Sequence, residues 1–309
     1  MATKPAVAAF DVSIAPRARF ARSALLADYW ALTKPEVNFL ILITTFAGFY
    51  LACANGWRDF PWWSSINVLL GTLLVASGTG TLNQYLERNF DAQMRRTSRR
   101  PLAAGRLKPA AVLWFGLALS AVGSVYLAVA VNVLASLLAM ATLQSYLFVY
   151  TPLKRKTPLC ILVGAFPGAM PPLIGWAAAS GKLNFQAWTL YAMLFLWQFP
   201  HFMAIAWMYR EDYARAGYLV LPPDDRVRVR LVNLQTVLPL LALVPLSLVP
   251  GLKDEAKFYL IGALLLGAGF VYFAAQFVLG KSNSAARRLL AASIIYLPAL
   301  FVVMVFARG

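Results

Sequence analysis

The chain has 309 residues, 61% hydrophobic and 13% charged, whereas an average soluble domain is about 25% charged, so a water-soluble fold is excluded. Its formal net charge is +16. A nucleic-acid partner is set aside all the same, because the basic residues sit in short connections between apolar runs, as the positive-inside rule of membrane proteins expects.

Residues 1–34 read as a polar tail bearing Arg17, Arg19 and Arg22, without the apolar core of a cleaved signal peptide. Its alanines and arginines would suit a mitochondrial transit segment, and so the mitochondrial inner membrane. Asp11, Asp28 and the shortness of the tail favour instead a cytoplasmic terminus on a bacterial inner (plasma) membrane protein. Runs of about 20 apolar residues then predict nine spans, near 37–54, 66–84, 110–130, 132–150, 159–178, 187–208, 232–249, 257–279 and 289–307. The expected class is an all-α polytopic membrane protein, one transmembrane domain over 35–309 whose surroundings are the lipid bilayer. Trp57, Trp62 and Trp63 after the first span read as an interfacial belt. Spans three and four, with almost nothing between them, read as a tight hairpin. Span five holds Gly164, Pro167, Gly168, Pro171, Pro172 and Gly175. So many breakers predict a kink beside a cavity, since freed backbone groups need protein or water partners.

With the amino terminus inside, all but Arg58, Lys182, Lys253, Lys257 and Arg308 of the 28 lysines and arginines fall on the cytoplasmic side. Cys53 and Cys160 then lie near opposite surfaces. No disulfide spans about 30 Å of hydrocarbon, so both read as packing residues.

The chemistry concentrates in NQYLERNFDAQMRRTSRRPL, from Asn83 to Leu102. Asn83, Glu87 and Asp91 recur every four residues, which on a helix stacks them on one face. Two like charges so placed repel unless something positive lies between them, and Arg88, Arg95, Arg96, Arg99 and Arg100 surround them. Acceptor oxygens ringed by guanidinium groups suit a magnesium-bound diphosphate. The plainer alternative is a solvated helix end anchored by arginines at lipid headgroups. A second cluster, Arg210, Glu211, Asp212 and Arg215, follows span six, and Lys154, Arg155 and Lys156 precede span five. All three lie on the expected cytoplasmic side. A local salt-bridge network of Glu211 and Asp212 with Arg210 and Arg215 would also account for the second, and positive-inside anchoring for the third. His201, the only histidine, precedes Asp212 by eleven residues on what reads as one continuous helix. It is a functional candidate, as ionisable residues inside a membrane are, or else a histidine satisfied by a carbonyl or by Gln198.

At these residues the chain resembles the UbiA superfamily of membrane prenyltransferases, and within it the heme-farnesylating members. Asn83, Glu87 and Asp91 fit the NxxxDxxxD first motif with Glu in the middle place. LTKPEV, YTPLKRKTP, PGAMPPLIGW, WQFPHFMAIAW and YREDYARAGY follow the expected order from Leu32 to Tyr218. The second DxxxD motif is degenerate, with Asp212 its surest carboxylate and Glu211 beside it, and Cys160 stands where Asn is expected. The resemblance implies a UbiA-like helical bundle and farnesyl transfer from farnesyl diphosphate to a vinyl group of heme b. The products are heme O and diphosphate, in the biosynthesis of the oxidase cofactor heme A. It implies Mg2+ held by Asn83, Glu87, Asp91 and Asp212, which are also the catalytic set. Arg88, Arg96, Arg100, Lys154, Arg155 and Arg210 bind the diphosphate in this reading, and His201 the heme. Heme A synthase is the implied protein partner. The competing readings are a prenyltransferase for an aromatic quinone precursor, an anion or diphosphate transporter, and a non-catalytic heme carrier.

Overall fold

The computed structural model describes residues 18–53, 57–254 and 257–307. The first half of the expected tail, including Asp11 and Arg17, and Arg308 at the other end lie outside the described residues. The helices are α1 (Ala18–Leu32), α2 (Pro35–Ala52), α3 (Trp62–Asp91), α4 (Pro109–Ala130), α5 (Val133–Gln144), α6 (Thr151–Leu153), α7 (Cys160–Gly168) and α8 (Pro171–Ser180). After them come α9 (Phe185–Met208), α10 (Arg210–Arg215), α11 (Asp225–Asp254), α12 (Lys257–Gly280) and α13 (Asn283–Ala307). A π-helical segment, Ser145–Tyr150, joins α5 to α6. Among the described residues nine stretches are long and apolar enough to cross a membrane, and the protein is an all-helical, multi-pass membrane protein.

Local chemistry sets the helix starts. Pro35 and Pro109 open α2 and α4, where a missing N–H costs nothing. Asn132 and Asn184 cap α5 and α9 by accepting from the amides of Ala135 and Ala187 at 2.9 and 3.0 Å. The helices reach beyond the apolar windows. The second span runs on to Asp91, the seventh starts at Asp225 and the ninth at Asn283, because apolarity marks only the part in hydrocarbon while the backbone ladder continues into the polar zone.

The polar tail is not without regular structure, since residues 18–32 form α1. Leu32 is buried with Leu102, Leu107 and Val112, Asp28 accepts from both Nε and Nη2 of Arg106, and Leu25, Leu26 and Trp30 face outward. Tertiary anchors thus stabilise a short helix that polarity argued against. One expectation is corrected: the sixth span and its charged end are not one continuous helix. Tyr209 leaves helical geometry at φ −108° and ψ 18°, so α9 and α10 are separate.

The break in span five stands where the prolines put it. α7 ends at Gly168 and α8 starts at Pro171. Gln198 of α9 donates to the Ala165 carbonyl at 3.1 Å, an interior partner for backbone beside the break. Glycines bring the helices close. A Cβ on Gly175 of α8 would overlap the Thr45 carbonyl of α2, and one on Gly48 the Pro172 carbonyl; small residues permit such approach in membrane bundles. Gly175→Ala is therefore expected to destabilise by at least about 1–3 kcal/mol, the usual cost of overpacking. The check is thermal unfolding in detergent, and an unchanged midpoint would contradict the close contact.

Candidate active site

The last turns of α3 carry Asn83, Glu87 and Asp91, which are 1%, 6% and 1% exposed. Each meets one basic side chain from a different part of the chain. Lys34, between α1 and α2, donates to Asn83 Oδ1 at 2.9 Å. Lys154, just past α6, donates to Glu87 Oε1 at 2.9 Å. Arg100, from the loop that folds back after α3, places Nη1 2.8 and 2.7 Å from the two Asp91 carboxylate oxygens. The repulsion that the four-residue spacing creates is thus offset three times over. Thr97 ties the loop down by donating to the Asp91 carbonyl at 2.9 Å. The Asn83 amide donates to the Thr151 hydroxyl at 3.3 Å, which fixes which end of the amide faces Lys34.

The π-helical segment aims the third strand of this cluster. Its Tyr150 and Tyr146 rings lie 4.5 and 6.0 Å from the Lys154 ammonium, within cation–π range. Burial works against the charge on Lys154, and Tyr150 and Glu87 overrule it, holding the ammonium well above its ordinary value. Lys34 goes the other way. Burial, then repulsion from Arg100, push it down to about 7 against the pull of Glu87. Tyr218 is pushed up, first by burial and then by the Glu87 charge.

Asp212 of α10 reaches the same end. Its Oδ2 accepts from the Arg96 amide at 3.4 Å and its Oδ1 from Arg215 at 3.0 Å. The Arg96 guanidinium lies 4.6 Å from the Tyr209 ring and donates to the Tyr213 hydroxyl at 3.2 Å. The Lys154 carbonyl accepts from the Leu219 amide at 2.7 Å, so all the charged connections of this end are tied together. The other residues singled out stand apart. Arg88 turns back to the Tyr85 carbonyl at 2.7 Å, and Arg155 lies 4.4 Å from the Phe90 ring. Arg210 bonds the Trp207 carbonyl and Asn283. The Glu211 side chain is 79% exposed and faces outward.

His201 sits in α9 within the bundle, its ring stacked on Trp197 at 4.7 Å. Nδ1 is 2.8 Å from Ser293 Oγ. The Ser293 hydroxyl already donates to the Leu290 carbonyl at 2.6 Å, and a hydroxyl has one proton. Nδ1–H is therefore the donor, and Nε2 keeps its lone pair. Gln198, which could have satisfied the histidine, bonds Ala165 and Leu194 instead.

Lys34, Thr151, Tyr146, Tyr150 and Tyr218 were not singled out from the sequence. Lys34 and Thr151 lie inside quoted segments, LTKPEV and YTPLKRKTP, but a lysine beside a proline and a threonine at a span end carry no signal of their own. Glu87, Asp91 and the Asn83 amide oxygen are hard oxygen donors of the kind magnesium takes. Among the described residues no three His, Cys, Asp or Glu side chains gather to hold an ion. This set fits a magnesium that takes its remaining ligands from phosphate and water.

The UbiA prenyltransferase family matches residues 41–302. The protoheme IX farnesyltransferase of Solibacter usitatus is 47% identical over 291 residues, 91% of this chain and 98% of that one. Its namesake from Koribacter versatilis is 40% identical over 294 residues, 93% and 94% of the two chains. Among solved structures, a digeranylgeranylglyceryl phosphate synthase aligns with a TM-score of 0.73 at 18% identity, over 92% of this chain and 98% of its own. A UbiA homologue from Archaeoglobus fulgidus, bound to GPP and Mg2+, aligns at 0.56 and 17% identity, over 90% and 99%. At such identities the likeness speaks for the fold. With a match across residues 41–302 and relatives this similar over almost their whole length, the chain belongs to the UbiA prenyltransferase family.

Proposed function

We propose that this chain transfers the farnesyl group of farnesyl diphosphate to a vinyl group of heme b, releasing diphosphate and giving heme O. The observation that carries the reading is the cluster on α3, three buried acceptor side chains each met by a basic side chain, beside relatives that bear this activity in their names. The carbon–oxygen bond of the diphosphate ester breaks with both electrons going to diphosphate. The vinyl group attacks the allylic cation, and water captures the resulting benzylic-type cation with loss of a proton. The chain contributes the electrostatic half. Lys34, Arg100, Lys154 and, farther out, Arg96 surround the place where negative charge develops on the leaving group. Asn83, Glu87, Asp91 and Asp212 are the residues that would hold magnesium, which would supply further positive charge there. The apolar interior receives the prenyl tail and keeps water from the cation.

Residues 35–309 act as one transmembrane domain in this reading, in a bacterial plasma membrane with the basic end cytoplasmic, as the lysine and arginine distribution favours. The product then needs an oxidising partner enzyme, heme A synthase, to become heme A. His201 contacts the porphyrin, with Nε2 as the contacting atom.

Mass spectrometry of the hemes in membranes expressing the chain tests the activity. A heme carrying one added farnesyl group and one added hydroxyl is expected, and prenylation of an offered aromatic quinone precursor alone would overturn the acceptor. His201→Ala is expected to weaken heme binding by at least about 10-fold, the loss of one good contact, and to leave farnesyl diphosphate binding intact. Heme titration followed by absorbance, beside a diphosphate-binding assay, checks this, and loss of both affinities together would mean a structural histidine.

A further inference from the structure

Lys34 is held in a conformation that its side chain does not favour. Its φ of 53° and ψ of 61° lie in the left-handed region, and a non-glycine residue stays there only when its surroundings over-determine it. Here they do. Asn38 donates to the Thr33 carbonyl at 2.8 Å and to Ser77 at 2.9 Å. Gln84 donates to the carbonyls of Ala31 and Leu32 at 3.3 and 3.2 Å, and Pro35 follows at once. Asn38, Ser77 and Gln84 are all buried, and the lysine stem runs past Gly80, where a Cβ would sit 3.4 Å from Lys34 Cδ. The outcome of this scaffolding is one ammonium on Asn83 Oδ1. Lys154 and Arg100 occupy the Glu87 and Asp91 oxygens in the same way. A cation on one of these oxygens takes up a lone pair and adds positive charge where a metal ion would bind, so the two compete.

We propose that Lys34 is a latch: with Lys154 and Arg100 it holds the acceptor oxygens until a diphosphate draws the three cations to its own oxygens, so metal and diphosphate enter together. The inference rests on the reading of this cluster as a magnesium–diphosphate site. A divalent ion arriving alone must displace Lys34 and Lys154 from the only acceptors they meet among the described residues, while Arg100 alone can turn to water. A diphosphate arriving alone must pull them off carboxylates left buried and unpaired. Arriving together, each satisfies what the other frees.

Equilibrium dialysis of the purified full chain in lipid nanodiscs, against Mn2+ alone, inorganic pyrophosphate alone and both together, tests this without turnover. In the wild type each is expected to raise the affinity for the other by about 10-fold or more, within the ordinary range of coupling between two sites. Lys34→Met is expected to bind Mn2+ alone about 10-fold more tightly and to lose most of the coupling, while Lys34→Arg restores it. Lys34→Gly, which suits left-handed backbone, is the second variant should Lys34→Met fold poorly. Joint binding in the wild type with Mn2+ affinity unchanged in both Lys34→Met and Lys34→Gly would overturn the latch and leave the site reading standing. No joint binding in the wild type would overturn both.

Discussion

Asp91→Asn is expected to lower farnesyl transfer by at least about 100-fold, the scale of losing one preorganised electrostatic element, while the protein still inserts and folds. The amide keeps the shape of the carboxylate, and Arg100, whose side chain is 28% exposed, can turn its guanidinium to water. What is lost is the negative charge that faces the site from the end of α3. Glu87→Gln is expected to lose activity alike, with a lower thermal midpoint because it leaves the nearly buried Lys154 charge unpaired. Turnover measured at saturating heme across a magnesium series, beside a thermal midpoint, separates lost chemistry from lost structure. Activity within about 2-fold of wild type at limiting magnesium, well short of the loss expected of such an element, would remove both carboxylates from the metal set.

Lys154→Met is expected to be the most destabilising change at the site. Lys154 and Glu87 are both nearly buried, with side chains 13% and 7% exposed. Removing one partner of a buried pair leaves an uncompensated charge, at a cost of about 3–5 kcal/mol. Adding Glu87→Gln to Lys154→Met removes that orphan charge, so most of the stability is expected to return. Farnesyl transfer is expected to stay absent, because the diphosphate has lost a cation and the metal a ligand. Unfolding midpoints of the two single variants and the double variant form the needed cycle. A double variant no more stable than Lys154→Met would show that the pair is not coupled as its 2.9 Å geometry requires.

The nine spans were legible in the apolar runs because hydrocarbon thickness fixes how many residues a span needs. Their ends were not, since α3, α11 and α13 carry charged turns that only the finished bundle supports. The kink in span five was legible from Pro167, Pro171 and Pro172, whose rings decide the backbone locally. Helix α1 was hidden because its stability comes from tertiary contacts of Leu32 and Asp28. At the site, the four-residue repeat of Asn83, Glu87 and Asp91 was readable, as any one-face pattern is. The choice of cations was not. Five arginines follow Glu87 within thirteen residues, and sequence alone does not tell that Arg100 closes on Asp91 while Arg88 turns to the Tyr85 carbonyl. That depends on how the loop folds back, which Thr97 and the Arg106–Asp28 pair decide.

The π-helical segment Ser145–Tyr150 amounts to one inserted residue in a span that could cross the bilayer without it. At 3.6 residues per turn, one residue shifts the phase of everything beyond it by about 100°. Upstream, α5 answers to α4 and α8; downstream, Thr151 and Lys154 must answer to Asn83 and Glu87 of α3. The insertion reconciles two facings that a uniform helix could not satisfy at once. A deletion of one residue there would leave hydropathy, length and topology nearly unaltered, and would swing Thr151 and Lys154 away from Asn83 and Glu87. For the site, the number of residues in this span therefore matters more than its apolar character does.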